Sequence, residues 1–88
     1  MPTLSNFYGI SIRMYEEAGA RHHLPHLHAF HGSNEVTLNF DGDVLRGWMP
    51  KREMKLIAAW MELHQDALVE NWKKLQNGEE HFKIAPLR

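Results

Sequence analysis

The sequence of 88 residues contains no cysteine, which excludes disulfide bonds and thiolate metal ligands. Its apolar runs are too short for a transmembrane helix, and its first residues lack the basic segment that opens a secretory signal peptide. A strong charge is also lacking, because the net charge is -1 with neutral histidines, so no overall field favours nucleic acid or anionic lipid. Together these absences predict a cytoplasmic protein.

Composition and length predict a single small globular domain over residues 1–88. Hydrophobic residues make up 43% of the chain and charged residues 24%, which is typical of folded rather than disordered proteins. A chain of this size builds a core that is only marginally sufficient for folding alone. We therefore expect a partner, either a second copy in a homodimer or another small protein, and exposed sheet edges would be one place to contact it.

Histidine is concentrated in one stretch, because five of the seven histidines lie between His22 and Gly32. Histidine titrates unperturbed between about pH 5 and 8, binds metal ions as the neutral ring, and transfers protons in catalysis. The stretch is therefore the first candidate for a functional site.

Hydrophobic periodicity predicts an antiparallel sheet of four strands connected as a meander. Apolar and polar residues alternate over residues 7–15, which predicts a half-buried first strand, and they alternate again over residues 36–40. Pro25 is tolerated just before a strand but not within one. The second strand is therefore predicted to run from His26 to His31.

The third and fourth predicted strands form a hairpin at Asp41-Gly42. This dipeptide is a strong signal for a two-residue turn, and such a turn determines the strand register. In that register Leu38 lies opposite Leu45, and Val36 lies opposite Gly47. The side chains that then point away from the core are Thr37, Asn39, Val44, Arg46 and Trp48.

One long C-terminal helix is predicted to cover one face of the sheet. Pro50 suits its first turn, and Asn77-Gly78 suits its C-terminal end. Apolar residues between them recur at steps of three and four, so they share one helix face. Because the run is long, we expect a bend near residues 64–66, and residues 79–88 are expected to pack back as a strand or an extended tail. The predicted fold class is therefore α+β, with the second face of the sheet open.

Strand alternation places the functional candidates on the open face. If the turn after His31 has an even number of residues, Leu27 and Ala29 face the core and the intervening side chains face outward. A three-residue turn would instead bury two histidines, which needs satisfied hydrogen-bonding partners. We therefore predict an open face that carries Arg13, Tyr15, His26, His28, Phe30, Arg46 and Trp48.

Several motifs along the chain resemble, in order, the bacterial family known as domain of unknown function 4160. The motifs are Met1-Pro2-Thr3, Phe7-Tyr8-Gly9-Ile10, His22-x-x-Pro25-His26-x-His28-Ala29, Trp60-x-Glu62-Leu63-His64, Asn71-Trp72 and Lys83-Ile84-x-Pro86-Leu87. The family pattern has two prolines before the paired histidines and a phenylalanine between them, where this chain has Leu24-Pro25 and Leu27. Phe30 stands where the family has an aromatic residue that is often tyrosine. The resemblance implies no settled activity, but family members are often encoded beside a second small protein, in an arrangement like a toxin–antitoxin pair.

Three functions follow from these observations as alternatives. The first is a bacterial interaction protein, one member of a toxin–antitoxin-like pair, whose open face with Phe30 and Trp48 contacts the partner. On such a face the histidines would donate or accept hydrogen bonds with water or with the partner.

The second alternative is metal-independent cleavage of RNA. His26 and His28 are two residues apart on a strand, so both rings project to the same side and could act as acid and base on a ribose 2′-hydroxyl and a leaving 5′-oxygen. Arg13 or Arg46 would stabilise the phosphorane. The side chains that could stack on bases are Tyr15, Phe30 and Trp48.

The third alternative is binding of a divalent metal ion such as zinc, nickel or copper. His22 or His23 would close from the loop over His26 and His28 to supply three imidazole ligands. No carboxylate lies at a diagnostic spacing from them, and a His-x-His pair alone is a weak signal.

Overall fold

The computed structural model describes residues 2–16 and 24–88. Within these residues, five antiparallel strands in the order β1-β2-β3-β4-β5 precede two helices. The elements are β1 (Thr3–Phe7), β2 (Ile10–Arg13), β3 (His26–His31), β4 (Asn34–Asn39), β5 (Val44–Gly47), α1 (Lys51–Leu63) and α2 (Gln65–Gln76). The α+β class and the antiparallel meander are therefore confirmed.

The prediction of four strands is wrong, because a further strand, β1, begins before the predicted first strand and is separated from β2 by a tight turn. Tyr8 and Gly9 both have positive φ, at 49° and 78°, and Phe7 pairs with Ile10 across them. Two consecutive residues with positive φ form a type I′ turn, whose twist matches that of the flanking strands. The apolar alternation continues through the turn, which explains why the sequence pattern read as one strand.

A hairpin does form at Asp41-Gly42, but its loop is longer than the predicted two residues. The amide of Gly42 donates to the carbonyl of Asn39 at 3.0 Å, and the amide of Asn39 donates to the carbonyl of Asp43 at 3.0 Å. The side-chain oxygen of Asn39 also accepts hydrogen bonds from the amides of Asp41 and Asp43. Three residues therefore connect the paired ends, and the Asn39 side chain holds them in place.

The longer loop changes the register of the hairpin near its turn. Val36 lies opposite Gly47 as predicted, but Leu38 lies opposite Val44. The predicted pairing of Leu38 with Leu45 is therefore wrong, because a β-bulge in β5 adds one residue between the two pairs.

The prediction of one long helix is also wrong, because the helix is interrupted at His64. This residue has φ of -126° and ψ of 26°, and its amide donates to the carbonyl of Met61 at 3.2 Å. The side-chain amide of Gln65 donates to the carbonyl of Phe40 at 2.8 Å, which holds the start of α2 against the sheet. The interruption occurs at the predicted position of the bend. No helix in the described part of the chain is long and apolar enough to cross a membrane.

The core lies between the helices and one face of the sheet. Trp60 on α1 is fully buried and contacts the ring of Phe7, with 5.4 Å between ring centroids. The largest other side chains with no more than trace exposure are Leu4, Ile10, Ile12, Met14, Leu27, Leu38, Ile57 and Leu68. The C-terminal tail packs back without regular structure, as expected, and the amide of Ile84 donates to the carbonyl of Leu4 at 2.8 Å.

Candidate functional site

The open face of the sheet carries a row of four facing residues, one from each of strands β2 to β5. Arg13 faces His28, His28 faces Thr37, and Thr37 faces Arg46. Neighbouring strands lie about 4.8 Å apart, so the backbone positions of the row span roughly 14 Å. His31 pairs with Asn34, so the turn between β3 and β4 has the even length that the face assignment assumed.

A second row runs parallel to the first and contains the aromatic residues. Ser11 faces Phe30, Phe30 faces Glu35, and the amide of Trp48 donates to the carbonyl of Glu35 at 3.1 Å. The guanidinium carbon of Arg13 lies 4.3 Å from the centre of the Phe30 ring, and its Nε donates to the Ser11 hydroxyl at 3.2 Å. A cation–π contact of this kind stabilises by about 0.5 to 1 kcal/mol at an exposed site. The two rows are therefore joined by direct contacts at the β2–β3 side.

His28 is held in one orientation by contacts on several sides. Its ring centroid lies 4.4 Å from that of Tyr15. Its Nδ1 atom lies 3.2 Å from the Thr37 hydroxyl and 3.5 Å from a carboxylate oxygen of Glu35. The Thr37 hydroxyl can donate or accept, but a carboxylate only accepts, so Glu35 favours the tautomer with the proton on Nδ1.

His26 is buried, with only 8% of its surface exposed, although the strand alternation predicted it on the open face beside His28. It lies at the first position of β3, where its ring contacts Trp72 of α2 with centroids 5.2 Å apart. Its Nδ1 atom lies 2.8 Å from the carbonyl of Leu24, so Nδ1 carries the ring proton. His26 therefore packs against the helix layer instead of facing solvent.

The two histidines belong to a continuous line of aromatic rings. The ring centroids of His26 and His28 lie 5.4 Å apart in an edge-on arrangement, and the line continues to Tyr15 at one end and Trp72 at the other. The side-chain amide of Gln76 donates to the carbonyl of Tyr15 at 3.1 Å, which ties α2 to the same region. Sequence reasoning assigned Trp72 only to the helix core. The Asn71-Trp72 motif of the family resemblance is a signal that could have pointed to Trp72 as part of the site.

The predicted metal ligands are only partly within the described residues. His22 and His23 lie outside them. Among residues 2–16 and 24–88, no group of three histidine or acidic side chains converges to hold a metal ion. His26 and His28 alone are brought together.

Arg46 and Trp48 are exposed at the β5 side of the open face. Trp48 is 66% exposed, and Arg46 is also exposed. Neither side chain makes a hydrogen bond, ion pair or ring contact with any residue in the described ranges. These two side chains are therefore positioned by the sheet alone and point into solvent.

The family model of the domain of unknown function DUF4160 matches residues 9–73, which is most of this chain. The chain belongs to this family. The DUF4160 match runs from the Tyr8-Gly9 turn into α2, so it includes both rows of the open face, His26 and His28. No curated protein and no solved structure matches the chain. Because the family description assigns no activity, the chemistry of the site rests on its geometry.

Proposed function

We propose that this DUF4160 protein is a bacterial, cytosolic interaction domain, one member of a toxin–antitoxin-like pair, that binds its partner through the open face of the sheet. The observation that carries the proposal is the exposed indole of Trp48 on the same face as Arg46, whose guanidinium has no ion-pair partner among the described residues. Tryptophan and arginine are the residue types most enriched among side chains that dominate binding energy at protein interfaces.

The rest of the face supports this proposal. Phe30 and Arg13 are half-buried and stacked, so this part of the face is already ordered before a partner arrives. An ordered surface loses little conformational entropy on binding. The partner suggested by the family resemblance is the product of the adjacent gene.

Binding of purified adjacent-gene product, measured by isothermal titration calorimetry, tests the proposal. Trp48→Ala is expected to weaken binding by about 2 kcal/mol or more, which is a loss of roughly thirtyfold. Leu63→Ala is the matched control, because Leu63 is an equally exposed apolar residue at the end of α1. Replacing His26 or His28 by alanine should weaken binding less than Trp48→Ala does. Unchanged affinity of the Trp48→Ala variant would contradict the proposal.

Acid–base cleavage of RNA has less support from the geometry. A general acid and base must both reach the substrate, and His26 is buried between β3 and Trp72. Glu35 also lies in the middle of the face, where it would repel a phosphodiester. Cleavage of RNA by His26 and His28 with Arg13 or Arg46 stays a prediction.

Metal binding is the second candidate function, and one specific observation favours it. In both histidines, Nδ1 faces an acceptor, the carbonyl of Leu24 for His26 and the carboxylate of Glu35 for His28. Metal-ligating histidines commonly donate one ring N–H to a carbonyl or carboxylate, which leaves Nε2 as the ligand atom. We propose that Nε2 of these two residues would be the ligand atoms for zinc, nickel or copper, with His22 or His23 completing the set.

A further inference from the structure

The last strand of the sheet differs from the others because it is exposed along its whole length. All four residues of β5 are exposed, and about half of the surface of Val44 and of Leu45 is accessible. Together with Arg46 and Trp48 they form a short continuous segment, which we name the β5 strip: Val44, Leu45, Arg46 and Trp48. Val44 lies opposite Leu38, on the core side of the edge, whereas Arg46 lies opposite Thr37, on the open face with Trp48. An arginine accompanied by exposed apolar and aromatic side chains matches the composition of interface centres, where other charged residues are depleted.

The charge of Arg46 is not balanced within the described residues. Glu35 is the acidic residue nearest in the strand register, but its carboxylate lies against His28. The carboxylate of Asp43 accepts a hydrogen bond from the side-chain amide of Asn39 at 3.3 Å. Arg46 is therefore available to a carboxylate from outside, with which a guanidinium forms two parallel charge-assisted hydrogen bonds.

Backbone pairing at this edge is disfavoured by the β-bulge between the pairs Thr37–Arg46 and Leu38–Val44. Bulges twist an edge strand away from a flat ladder and are one way in which proteins prevent added strands. Contact at the β5 strip is therefore made by side chains. A simple extension of the sheet by a partner strand is therefore disfavoured at this edge.

A second copy of the chain fits the strip less well than a different protein does. Contact of the strip with itself about a two-fold axis would bring both Arg46 guanidinium groups into the same small interface. Like charges opposite each other in an interface oppose association. The charge that complements the strip is negative, and it must be accompanied by apolar side chains.

We infer that the β5 strip binds an acidic, apolar segment of the partner protein, with a carboxylate on Arg46 and an aromatic or aliphatic side chain on Trp48. The inference rests on the proposed function, because it names the chemistry of the partner for the same face. It goes further in assigning the anchoring contact to β5 and not to the histidines.

Selection of displayed random peptides on the immobilised full chain tests this inference without a known partner. Peptides that also bind a chain carrying both Arg46→Gln and Trp48→Ala are removed in a subtractive step. The enriched peptides are expected to carry Asp or Glu next to an aromatic or aliphatic residue. In a synthetic peptide of that sequence, replacing the acidic residue by its amide should weaken binding about tenfold.

The second part of the experiment measures binding of the synthetic peptide to variants of the protein. Arg46→Gln should weaken binding of the synthetic peptide by a similar factor, and Arg46→Lys by less, because lysine retains the charge but loses the paired geometry. Arg52→Gln is the matched control, because Arg52 is also exposed but is paired with Glu53 at 2.9 Å. All these residues are on the surface, so unchanged melting temperatures should accompany the binding data.

Several outcomes would overturn the inference. The first two are that the selected peptides lack acidic residues, or that no peptide is enriched over the double variant. The third is that the synthetic peptide binds the wild-type protein and Arg46→Gln equally well. The fourth is that the chain binds single-stranded RNA instead of peptides, in a way that depends on Arg46. The proposed function fails separately if the adjacent-gene product does not bind, while Arg46-dependent acidic peptides do. If that product binds with no loss in Arg46→Gln, the proposed function stands and the inference about the β5 strip is wrong.

Discussion

The side chain of Asn71 pairs with the backbone of Phe82 in both directions. Its Nδ2 donates to the Phe82 carbonyl at 3.0 Å, and its Oδ1 accepts from the Phe82 amide at 2.9 Å. Asn71 is fully buried, so this pair attaches the C-terminal tail to α2 at a site without bulk water.

Replacing Asn71 by leucine should release the tail. The change removes both hydrogen bonds and leaves backbone groups that must find water, at a cost of about 1 to 3 kcal/mol in the free energy of unfolding. Urea denaturation measures that cost, and hydrogen exchange at Phe82 reports the release of the tail directly. Asn77→Leu is the control, because Asn77 is exposed at the end of α2. Exchange at Phe82 that is as slow as in wild type would contradict the expected anchoring role.

Trp60→Ala should lower the free energy of unfolding by about 3 to 5 kcal/mol, because it removes the largest fully buried side chain. It also removes the hydrogen bond from the indole Nε1 to the carbonyl of Ala85 at 2.8 Å. Thermal unfolding followed by circular dichroism measures the loss. Trp48→Ala removes an equally large but exposed ring and should leave the melting temperature nearly unchanged. Equal melting temperatures for the two variants would show that the helix face is assigned incorrectly.

Gly47→Ala should destabilise the fold more than Gly42→Ala does. Both glycines have positive φ, so each substitution carries the cost of about 1 to 2 kcal/mol for a left-handed residue. At Gly47 an added Cβ would also overlap the carbonyl oxygen of Glu35, whereas nothing lies close to Gly42. Chemical denaturation of the two variants compares them directly. A Gly42→Ala variant that is the less stable of the two would contradict the close approach of β4 and β5.

Metal binding through the histidines is tested by native mass spectrometry of tag-free protein purified without a metal column. The candidate site predicts a stoichiometric mass of zinc, nickel or copper that disappears with a chelator and is absent from His28→Ala. His81→Ala is the control, because His81 lies in the C-terminal tail. Metal that persists in His28→Ala, or a spectrum without metal after incubation with each ion, would exclude this candidate.

Local alternation was sufficient to predict β3, β4 and the face of most candidate residues. Each strand has a side-chain period of two, and the Gly32-Ser33 turn has the expected even length, so Arg13, His28 and Arg46 lie in one row. The same period could have placed Glu35 on the open face, since Glu35 lies two residues before Thr37 on β4.

Other features could not be predicted because they depend on unusual local geometry or on distant contacts. Tyr8 adopts positive φ, which few residues other than glycine, asparagine and aspartate do, so the first hairpin had no typical sequence signal. His26 is buried by Trp72, which lies on another element far along the chain. The alternation of residues within β3 carries no information about a contact with a distant helix. For this reason the sequence predicted an exposed His26.

The meander also has a consequence for how the chain folds. Every strand pairs with its neighbour in sequence, so the sheet contains mostly local contacts, a topology associated with rapid folding. The hydrogen bond from Ile84 to Leu4, in contrast, joins residues near opposite ends of the sequence. During synthesis on the ribosome the hairpins can form as they emerge, whereas this hydrogen bond must wait until Ile84 has emerged.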